Sequence, residues 1–524
     1  MKVKIILGVL AIGVLSVLLL SCENEQEEKR PNILFIMADD HTSQSISAYG
    51  TIFGDIFTTP NIDRLADEGM IFNNVYCTNA ICGPSRATIL TGKYSHVNGY
   101  FKNESGGQFN EKQWTFVKAL NDNGYQTSLF GKWHLGSEPV GFDYFKYHNN
   151  KNQQGDYYNP LYNENGKNVR EEGYATTLTG DFILNWLENG RDKNKPFAAL
   201  LHFKAPHRPW DPEEKYKDLF EGIEMPYPDN FNDDYEGREL TAGDTWMTMD
   251  YFNRNDMKVT PPEGLKGKEL WQWKSHGNKP DQAWLPEGCK TQGEARKWKY
   301  QRYIKDYLAC IKSVDDNVGR VLDYLDENGL AENTIVVYTG DQGFYLGEHG
   351  WFDKRFMYEI SSKMPFIVRY PEKVKAKSQS NDIITNADFA PTLLDFANVD
   401  VPEEVQGRSF AESLQGQTPD DWRKSYYYQY YEYPFWHHVQ PHYGVRNERY
   451  KLIHFYYNMD VWEFYDLHKD PDEMNNAIAD PEYAEIIKEM KMDIVNYQNK
   501  LGIDKSLNAM RAMTDADLGL VGGH

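Results

Sequence analysis

The chain has 524 residues, and its 56 basic and 78 acidic side chains give a formal net charge of −22. This length is enough for about three domains, or for one large α/β unit and a smaller one. With 40% hydrophobic and 26% charged residues, the composition is typical of a globular protein and excludes a disordered or fibrous one. The acidic balance excludes a nucleic-acid partner, which needs a basic face, and the five cysteines are too few for a disulfide scaffold.

The N-terminus has the pattern of an export signal. Lys2 and Lys4 precede the uncharged run 5–20, which is short for a membrane-spanning helix of about 20 residues. The sequence Leu-Leu-Ser-Cys that ends at Cys22 resembles a bacterial lipobox, which implies a signal peptide over 1–21 and a lipid on Cys22. We therefore expect an exported protein, lipid-anchored at the periplasmic or surface face of a bacterial outer membrane; an uncleaved anchor is the alternative. The polar residues 22–30 would be a tether.

Apolar runs that alternate with amphipathic segments predict an α/β domain over residues 31–400. Short apolar runs are typical of buried parallel strands, and strand–helix alternation favours a doubly wound sheet. The predicted strands are 32–38, 126–130, 197–203, 334–339 and 365–370. The predicted helices are 60–68, 115–121, 175–189 and 302–328.

Two later stretches depart from this pattern. Residues 209–301 are rich in Pro, Gly, Asp, Asn and Trp, and we interpret them as an insertion over one edge of the sheet. Residues 401–505 predict a smaller C-terminal antiparallel α+β subdomain, and the polar tail 506–524 is expected to fray. The subdomain's predicted elements are strands 426–433, 443–446, 450–457 and 462–465 and a helix over 481–501.

Polar residues follow four of the predicted strands at the point where each strand ends. They are Asp39, Asp40 and His41 after the first strand, Lys132 and His134 after the second, Lys204 and His207 after the third, and Asp341 and Gln342 after the fourth. Because open α/β sheets bind ligands beyond the carboxyl ends of their strands, we expect these side chains to form one site.

The acidic members of this set predict a metal site. Asp39 and Asp40 are adjacent carboxylates, and like charges repel unless a cation neutralises them. Asp341 and Gln342 add oxygen ligands, and an all-oxygen set favours Ca²⁺ or Mg²⁺ over zinc. The alternative is that the aspartates only cap a turn.

The most specific motif is 82–92, Cys-Gly-Pro-Ser-Arg-Ala-Thr-Ile-Leu-Thr-Gly. Pro84 suits the first turn of a helix, so Cys82 would lie at a helix N-terminus, where backbone N–H groups favour anions. Arg86 adds a permanent planar cation. From the residues alone, such a cysteine is either structural or a mildly activated thiol.

This segment resembles the Cys-x-Pro-Ser-Arg signature of the type I sulfatases, including the trailing Thr-Gly. The resemblance extends from residue 31 to about 501, because Gly131-Lys-Trp-His-Leu-Gly136 and Gly340-Asp341-Gln342-Gly follow in the family's order. It implies the alkaline-phosphatase-like α/β fold and a hydrolase of sulfate esters. Gln342 departs from the Asn or His of many members.

The resemblance also implies a modification and a metal. A maturation enzyme would oxidise Cys82 to Cα-formylglycine (3-oxoalanine), whose hydrate attacks the sulfur of a sulfate ester. The implied ligands of Ca²⁺, or of Mg²⁺ as the alternative, are Asp39, Asp40, Asp341, Gln342 and the modified residue 82.

The implied catalytic roles fall on five cations and imidazoles. Arg86 and Lys132 would hold the formylglycine, and Lys354 would bind sulfate. His207 would protonate the departing sugar hydroxyl, with Lys354 as a possible second donor. His134 would accept a proton when sulfate is expelled. Their convergence with the implied calcium ion predicts a cationic pocket in an otherwise anionic protein.

Two further segments, 341–359 and 430–446, resemble bacterial N-acetylglucosamine-6-sulfatases and related glycan sulfatases. In the second, His437 and His442 match that group's pattern and are expected to contact the sugar; an edge strand packed on the sheet is the alternative. We therefore expect an exo-acting sulfatase for 6-O-sulfated N-acetylglucosamine in glycans, with algal or glycosaminoglycan sulfates as alternatives. A phosphatase or phosphodiesterase would carry Ser or Thr at position 82, and a non-catalytic glycan-binding protein would not keep the full set of polar residues.

Overall fold

The computed structural model describes residues 30–103, 109–434 and 437–504. The predicted signal peptide over 1–21, the lipidated Cys22 and the tail 506–524 lie outside the described residues. The strands are β1 (Asn32–Ala38), β2 (Met70–Phe72), β3 (Val75–Tyr76), β4 (Gln126–Gly131), β5 (Tyr144–His148), β6 (Leu161–Glu164), β7 (Lys167–Arg170), β8 (Phe197–Phe203), β9 (Thr334–Gly340), β10 (Tyr345–Leu346), β11 (Phe352–Asp353), β12 (Lys363–Met364), β13 (Phe366–Arg369), β14 (Ser378–Ser380), β15 (Ile384–Thr385), β16 (Ser425–Tyr430), β17 (His442–Asn447), β18 (Tyr450–Phe455) and β19 (Val461–Asp466). The α-helices are α1 (Pro60–Glu68), α2 (Cys82–Thr91), α3 (Ser95–Asn98), α4 (Phe116–Asp122), α5 (Ala175–Asn185), α6 (Gly267–Ser275), α7 (Gln292–Glu327), α8 (Glu359–Ser362), α9 (Phe389–Phe396), α10 (Ala411–Leu414) and α11 (Ala484–Leu501).

A ten-stranded sheet in the order β14-β2-β13-β9-β1-β8-β4-β5-β6-β7 forms the centre of the molecule. Its central strands β9, β1, β8, β4 and β5 are parallel. All of β1 is buried, because helices cover both faces of a parallel sheet. Ile33, Phe35 and Met37 face one core with α2, α4 and α9, whereas Leu34 and Ile36 face the other with α1, α5 and α7. This is the doubly wound arrangement that the sequence predicts.

The structure corrects two details of the predicted elements. The predicted strand 365–370 forms as β13, but it runs antiparallel to β9. No long crossover helix lies between these strands, and a parallel return would need one. The helix predicted over 302–328 begins earlier, at Gln292, where Thr291 and Glu294 form a capping box. The Thr-x-x-Glu pattern is the signal for that start.

The C-terminal strands β16 to β19 form a separate antiparallel sheet. Tyr426, Tyr428 and Tyr430 pack into the core of the large domain, whereas Tyr427 faces the core formed with α11. This alternation follows the two-residue period of a strand. Both faces of the small sheet are therefore buried, and the sheet is fixed against the larger one.

Cys77, Cys82, Cys289 and Cys310 are free thiols. Within the described part of the chain, no helix is both long and apolar enough to cross a membrane.

Candidate active site

The parallel strands end in register and bring the predicted polar residues together. Ala38 pairs with both Phe203 and Gly340 at the last position of β1. The segments that follow these strands therefore leave the sheet at one edge. Close packing of the backbone explains the two glycines that flank Asp341-Gln342, since a Cβ atom at Gly340 would lie 2.4 Å from the His41 carbonyl oxygen and one at Gly343 would lie 2.0 Å from that of Ile360.

Cys82 is the first residue of α2, and all ten residues of this helix are buried. Its Sγ lies 3.7 Å from Asp40 Oδ1. Ser85, one turn further on, donates a hydrogen bond to the main-chain oxygen of Asp341, and Asn386 donates to the Ser85 hydroxyl at 2.9 Å. These bonds join the helix that carries Cys82 to the loop after β9.

Three carboxylates face this cysteine. One oxygen from each of Asp39, Asp40 and Asp341 and the sulfur of Cys82 lie within 4.8 Å of one another. The Asp40 main-chain N–H donates to Asp341 Oδ1 at 3.1 Å, which joins the loop after β1 to the loop after β9. All three side chains are fully buried, so their charges must be compensated locally.

Arg86 and Lys132 compensate two of these carboxylates. Arg86 Nε donates to Asp341 Oδ2 at 3.0 Å, and its Nη1 donates to the Lys132 carbonyl oxygen at 3.1 Å. Lys132 Nζ donates to Asp39 Oδ2, and also to Gln154 Oε1 at 2.7 Å. The structure therefore brings both cations to the predicted site.

Gln154 connects Lys132 to His134. Its Nε2 donates to His134 Nε2 at 2.7 Å, which places the proton of neutral His134 on Nδ1. The sequence analysis missed Gln154, because it lies in an irregular segment between β5 and β6 that carries no motif.

Lys354 and His207 both approach the Asp40 carboxylate. Lys354 Nζ is 2.6 Å from Asp40 Oδ1, and His207 Nε2 is 3.8 Å from Asp40 Oδ2. His207 Nδ1 donates to the Arg208 carbonyl oxygen at 2.8 Å, so its Nε2 is left to face the site. Both residues line a cleft of about 900 Å³ that opens above the carboxylates.

His437 lines the same cleft, and its Nε2 lies 3.1 Å from Asp353 Oδ2. Asp353 also accepts a hydrogen bond from Arg355 Nε at 3.1 Å. His437 and Lys354 thus line the same cleft, and a contact between His437 and the sugar stays a prediction. Asp353 and Arg355 were not predicted, although they flank Lys354 in the sequence.

His442 does not lie at the cleft, which corrects the prediction that it contacts the sugar. It is fully buried and stacks on Phe356, Tyr428 and Tyr430. Its Nε2 accepts the Met357 N–H at 3.0 Å and its Nδ1 donates to Gln440 O at 2.8 Å. Both ring nitrogens are thus satisfied by the backbone, and the alternative of a packed strand residue holds for His442.

His41 is also a structural residue. It is fully buried, and its Nδ1 lies 2.5 Å from the Tyr338 hydroxyl. Burial lowers the pKa of His41 to about 3. It therefore stays neutral and belongs to the packing beneath the site.

The carboxylates have unequal proton affinities. Burial raises the pKa of Asp39, but Lys132, His207 and Arg86 outweigh it and hold this pKa well below its usual range. Burial raises the pKa of Asp40 to about 7, against the opposing effect of Lys354 and with the help of Asp39. Burial and the charge of Asp39 raise the pKa of Asp341 to about 6. Close carboxylates repel each other in this way until a cation neutralises them.

The thiol of Cys82 is not activated. Burial raises its pKa well above the usual value, and Asp39 and Asp40 add to the rise, whereas Lys354 opposes it. A thiol with a raised pKa is a weak nucleophile. Despite its place at a helix N-terminus, the surroundings of the unmodified side chain favour a structural cysteine over the mildly activated thiol considered from the residues alone.

The donor set fits a hard divalent cation. Three carboxylates converge, and Gln342 Oε1 is buried without a hydrogen-bond partner among the described residues. Gln342 Nε2 donates to Asp40 Oδ1, and a rotation of the amide would present the oxygen instead. The Cys82 sulfur is the one donor that a hard ion does not prefer.

Three cations, Arg86, Lys132 and Lys354, pair with these three carboxylates. The charges of these six side chains therefore cancel, and the predicted cationic pocket would arise only with a bound divalent ion.

Comparison with known proteins identifies the class. Residues 31–399 match the family model described as "Sulfatase", and residues 347–500 match the model "N-sulphoglucosamine sulphohydrolase, C-terminal". The chain belongs to the sulfatase family, and it is a sulfuric ester hydrolase of the alkaline-phosphatase-like fold.

Two relatives are particularly similar. The chain is 49% identical over 492 residues to the N-acetylglucosamine-6-O-sulfatase of Bacteroides thetaiotaomicron, covering 90% of this chain and 87% of the relative. The chain is also 45% identical to a protein whose structure was solved in complex with that protein's substrate, D-glucosamine-2-N,6-O-disulfate. The two structures align with a TM-score of 0.84, covering 91% of this chain and 99% of the other.

The same fold serves another reaction class. The phosphonate monoester hydrolase of Agrobacterium radiobacter matches 90% of this chain and 96% of its own with a TM-score of 0.68, but it is only 21% identical. This likeness shows the fold alone.

Proposed function

We propose that the protein is an exo-acting glycan sulfatase that removes the 6-O-sulfate of N-acetylglucosamine or of a related glucosamine. The observation that carries the proposal is the position of Cys82 beside three buried carboxylates under a cleft, at the N-terminus of a helix. The relative that is 49% identical is named for this reaction, which supports the choice of sugar and position.

Residue 82 is proposed to be formylglycine in the mature enzyme, made by a maturation enzyme of the host. A hydrated aldehyde would supply an oxygen nucleophile for the sulfur of the ester. It would also replace the sulfur of Cys82 by oxygen, so that every donor around the carboxylates becomes a hard ligand. The Cys-x-Pro-Ser-Arg segment and the poor nucleophilicity expected of a buried thiol agree with this proposal.

Asp39, Asp40, Asp341 and Gln342 would hold Ca²⁺, with Mg²⁺ as the alternative. The ion would supply positive charge where negative charge develops on the sulfate oxygens. Arg86 keeps Asp341 oriented through the bond between Nε and Oδ2. Lys132 keeps Asp39 in place and is itself fixed by Gln154.

Lys354 and His207 would act on the substrate, because both reach the cleft. The Lys354 ammonium would bind a sulfate oxygen. His207 is fixed by the bond from Nδ1 to the Arg208 carbonyl oxygen, so its Nε2 faces the cleft. In the doubly protonated imidazolium form, Nε2 is the atom that would deliver a proton to the departing sugar oxygen. His134 would accept a proton at Nε2 when sulfate leaves, at the nitrogen that here accepts the Gln154 amide N–H. His437, oriented by Asp353, would contact a sugar hydroxyl.

The protein is also proposed to be exported and held at the outer membrane by a lipid on Cys22, on the periplasmic or the surface face. The proposal rests on the N-terminal sequence. Such a position suits an enzyme that works on glycans taken from outside the cell.

The test is a substrate panel with protein matured in a host that makes formylglycine. Glucosamine derivatives sulfated at the 2-N, 3-O or 6-O position and a 4-O-sulfated N-acetylgalactosamine are incubated in parallel, and sulfate release is measured. We expect release from the 6-O-sulfated sugars. A C82A variant is the control for contaminating activity. Sulfate release only from 3-O- or 4-O-sulfated sugars would overturn the proposed position.

A further inference from the structure

The cleft above Cys82 has an outer wall that no catalytic residue supplies. Residues 253–282, which lie in the stretch interpreted as an insertion, contribute about half of the side chains around the cleft. Its volume of about 900 Å³ is near the upper end of the range of about 300–1,000 Å³ for ligand sites. This wall therefore has room to take part in binding.

Trp271 stands out on this wall, because its side chain is 68% exposed. It lies on α6, and Trp271, Lys274 and Ser275 line the cleft at positions i, i+3 and i+4, which share one face of a helix. A large aromatic face left open in this way marks a binding surface more often than a packing defect. The apolar face of a pyranose ring suits it.

Two positive charges on this wall lack an ion-pair partner among the described residues. They are Lys274 and Lys279, which line the cleft and form no ion pair with a carboxylate of the described residues. The two acids of the cleft are both engaged, Asp256 with Arg208 and Asp353 with Arg355. The outer wall would therefore attract an anionic group rather than repel it.

Apart from Asp256, Ser275 and His276, the remaining polar side chains of the wall are amides. They are Asn253, Asn255, Gln272, Asn278 and Gln282. An amide both donates and accepts, as a sugar hydroxyl does. Aromatic, amide and cationic groups together have the chemistry of a site for an acidic sugar.

We propose that this wall is a second sugar subsite, which binds the residue next to the sulfated glucosamine and prefers it to be acidic. This inference rests on the proposed function, since it extends the substrate from one sulfated sugar to an oligosaccharide. Trp271 would stack on the second ring, and Lys274 and Lys279 would pair with its carboxylate or sulfate. The test distinguishes between a carboxylate and a sulfate as the source of this negative charge.

The first arm of the test measures kcat/KM of the matured enzyme. The substrates are N-acetylglucosamine 6-sulfate and three disaccharides that carry this sugar at the non-reducing end, joined to a uronic acid, a sulfated hexose or a neutral hexose. We expect the acidic disaccharides to be preferred over the monosaccharide by about tenfold or more, and the better of the two identifies the anion. The W271A substitution should lower kcat/KM for the disaccharides by about tenfold. The K274Q/K279Q substitutions should lower kcat/KM by about three- to tenfold for the acidic disaccharides only.

Both variants should act on the monosaccharide within twofold of the parent. K268Q is the matched control, because Lys268 lies on the same helix, is exposed and does not line the cleft. Equal losses on monosaccharide and disaccharides, or no loss on either, would overturn the subsite.

The second arm keeps the two proposals separate by measuring affinity instead of turnover. The inactive C82A protein is titrated with the same disaccharides, alone and in the W271A and K274Q/K279Q backgrounds. Weaker binding in these backgrounds supports the subsite even if the matured enzyme fails on every 6-O-sulfated sugar, a failure that would overturn only the proposed function. Affinities that are unchanged, or no binding of any disaccharide, would overturn the subsite.

Discussion

The ammonium of Lys354 lies 2.6 Å from Asp40 Oδ1, both side chains are buried, and Lys354 lines the cleft. Lys354 comes from the segment after β11, whereas Asp40 follows β1. The pair joins the carboxylates that would hold a metal to the side of the cleft where a sulfate would enter. A bound sulfate and a bound cation would each compete for one member of this pair.

Replacement of Lys354 tests its contact with the substrate. K354Q removes the positive charge at the base of the cleft, and we expect kcat/KM to fall by about 10²–10³-fold, as for loss of one preorganised electrostatic group. The measurement is steady-state sulfate release from a 6-O-sulfated glucosamine. Lys268, exposed on α6, again gives the control, and a K354Q enzyme within threefold of the parent would contradict the proposed role.

His207 can be tested through the leaving group. If its Nε2 delivers a proton to the departing oxygen, H207A should lose about 10²–10⁴-fold on a sugar sulfate. An aryl sulfate leaves as a stabilised phenolate and needs little protonation, so the loss on that substrate should be much smaller. The ratio of the two losses is the measurement. Equal losses on both substrates would show that His207 positions the sulfate and donates no proton.

Metal binding can be measured without turnover. A cation that binds only the folded protein stabilises it by RT ln(1 + [L]/Kd), which is about 2.7 kcal/mol at 100 times Kd. We expect added Ca²⁺ to raise the melting temperature of the parent after chelator treatment. D40N and D341N should abolish most of this shift, whereas D353N, which changes an acid outside the carboxylate cluster, should retain it. A shift that is identical in all four proteins would place the ion elsewhere.

Glu348 gives a prediction on pH and stability that is independent of the site. Burial raises the pKa of Glu348 to about 7, and its carboxylate accepts the Leu346 N–H at 2.7 Å. The folded protein binds this proton more tightly than the unfolded chain. Protonation of Glu348 therefore adds its full contribution to the free energy of unfolding below about pH 4.5, and this contribution is lost as the pH rises towards 7.

The variant E348Q should remove this dependence, since the amide can still accept the Leu346 N–H. The free energy of unfolding of E348Q, relative to that of the parent, should rise by on the order of 2–3 kcal/mol from pH 5 to pH 8. Chemical denaturation of both proteins at the two pH values measures the difference. A difference that does not change with pH would contradict the raised pKa.

The convergence of Asp39, Lys132, His207 and Asp341 could be predicted from the sequence, because the end of each parallel strand is visible as the end of an apolar run. The position of Cys82 at a helix start was equally accessible, through Pro84. These features depend on local patterns and on one general rule of α/β sheets.

Other contacts could not be predicted, since they depend on tertiary packing. Gln154 reaches Lys132 from an irregular segment, and α6 forms one wall of the cleft from a stretch of weak periodicity. His437 and His442 lie five residues apart in the sequence, yet the first lines the cleft and the second is a core residue. His442 is the first residue of β17 and packs into the core, whereas His437 lies in a turn before that strand, and the start of β17 was not evident from the sequence.

The central claim is that residue 82 acts as formylglycine, and mass spectrometry of the peptide that contains it is the most direct test. Preparations made with different amounts of maturation enzyme would be compared for the fraction of aldehyde and for the rate of 6-O-sulfate release. We predict that activity rises in proportion to the formylglycine fraction and vanishes when residue 82 is entirely cysteine. Full activity in a preparation that contains only unmodified Cys82 would contradict the account.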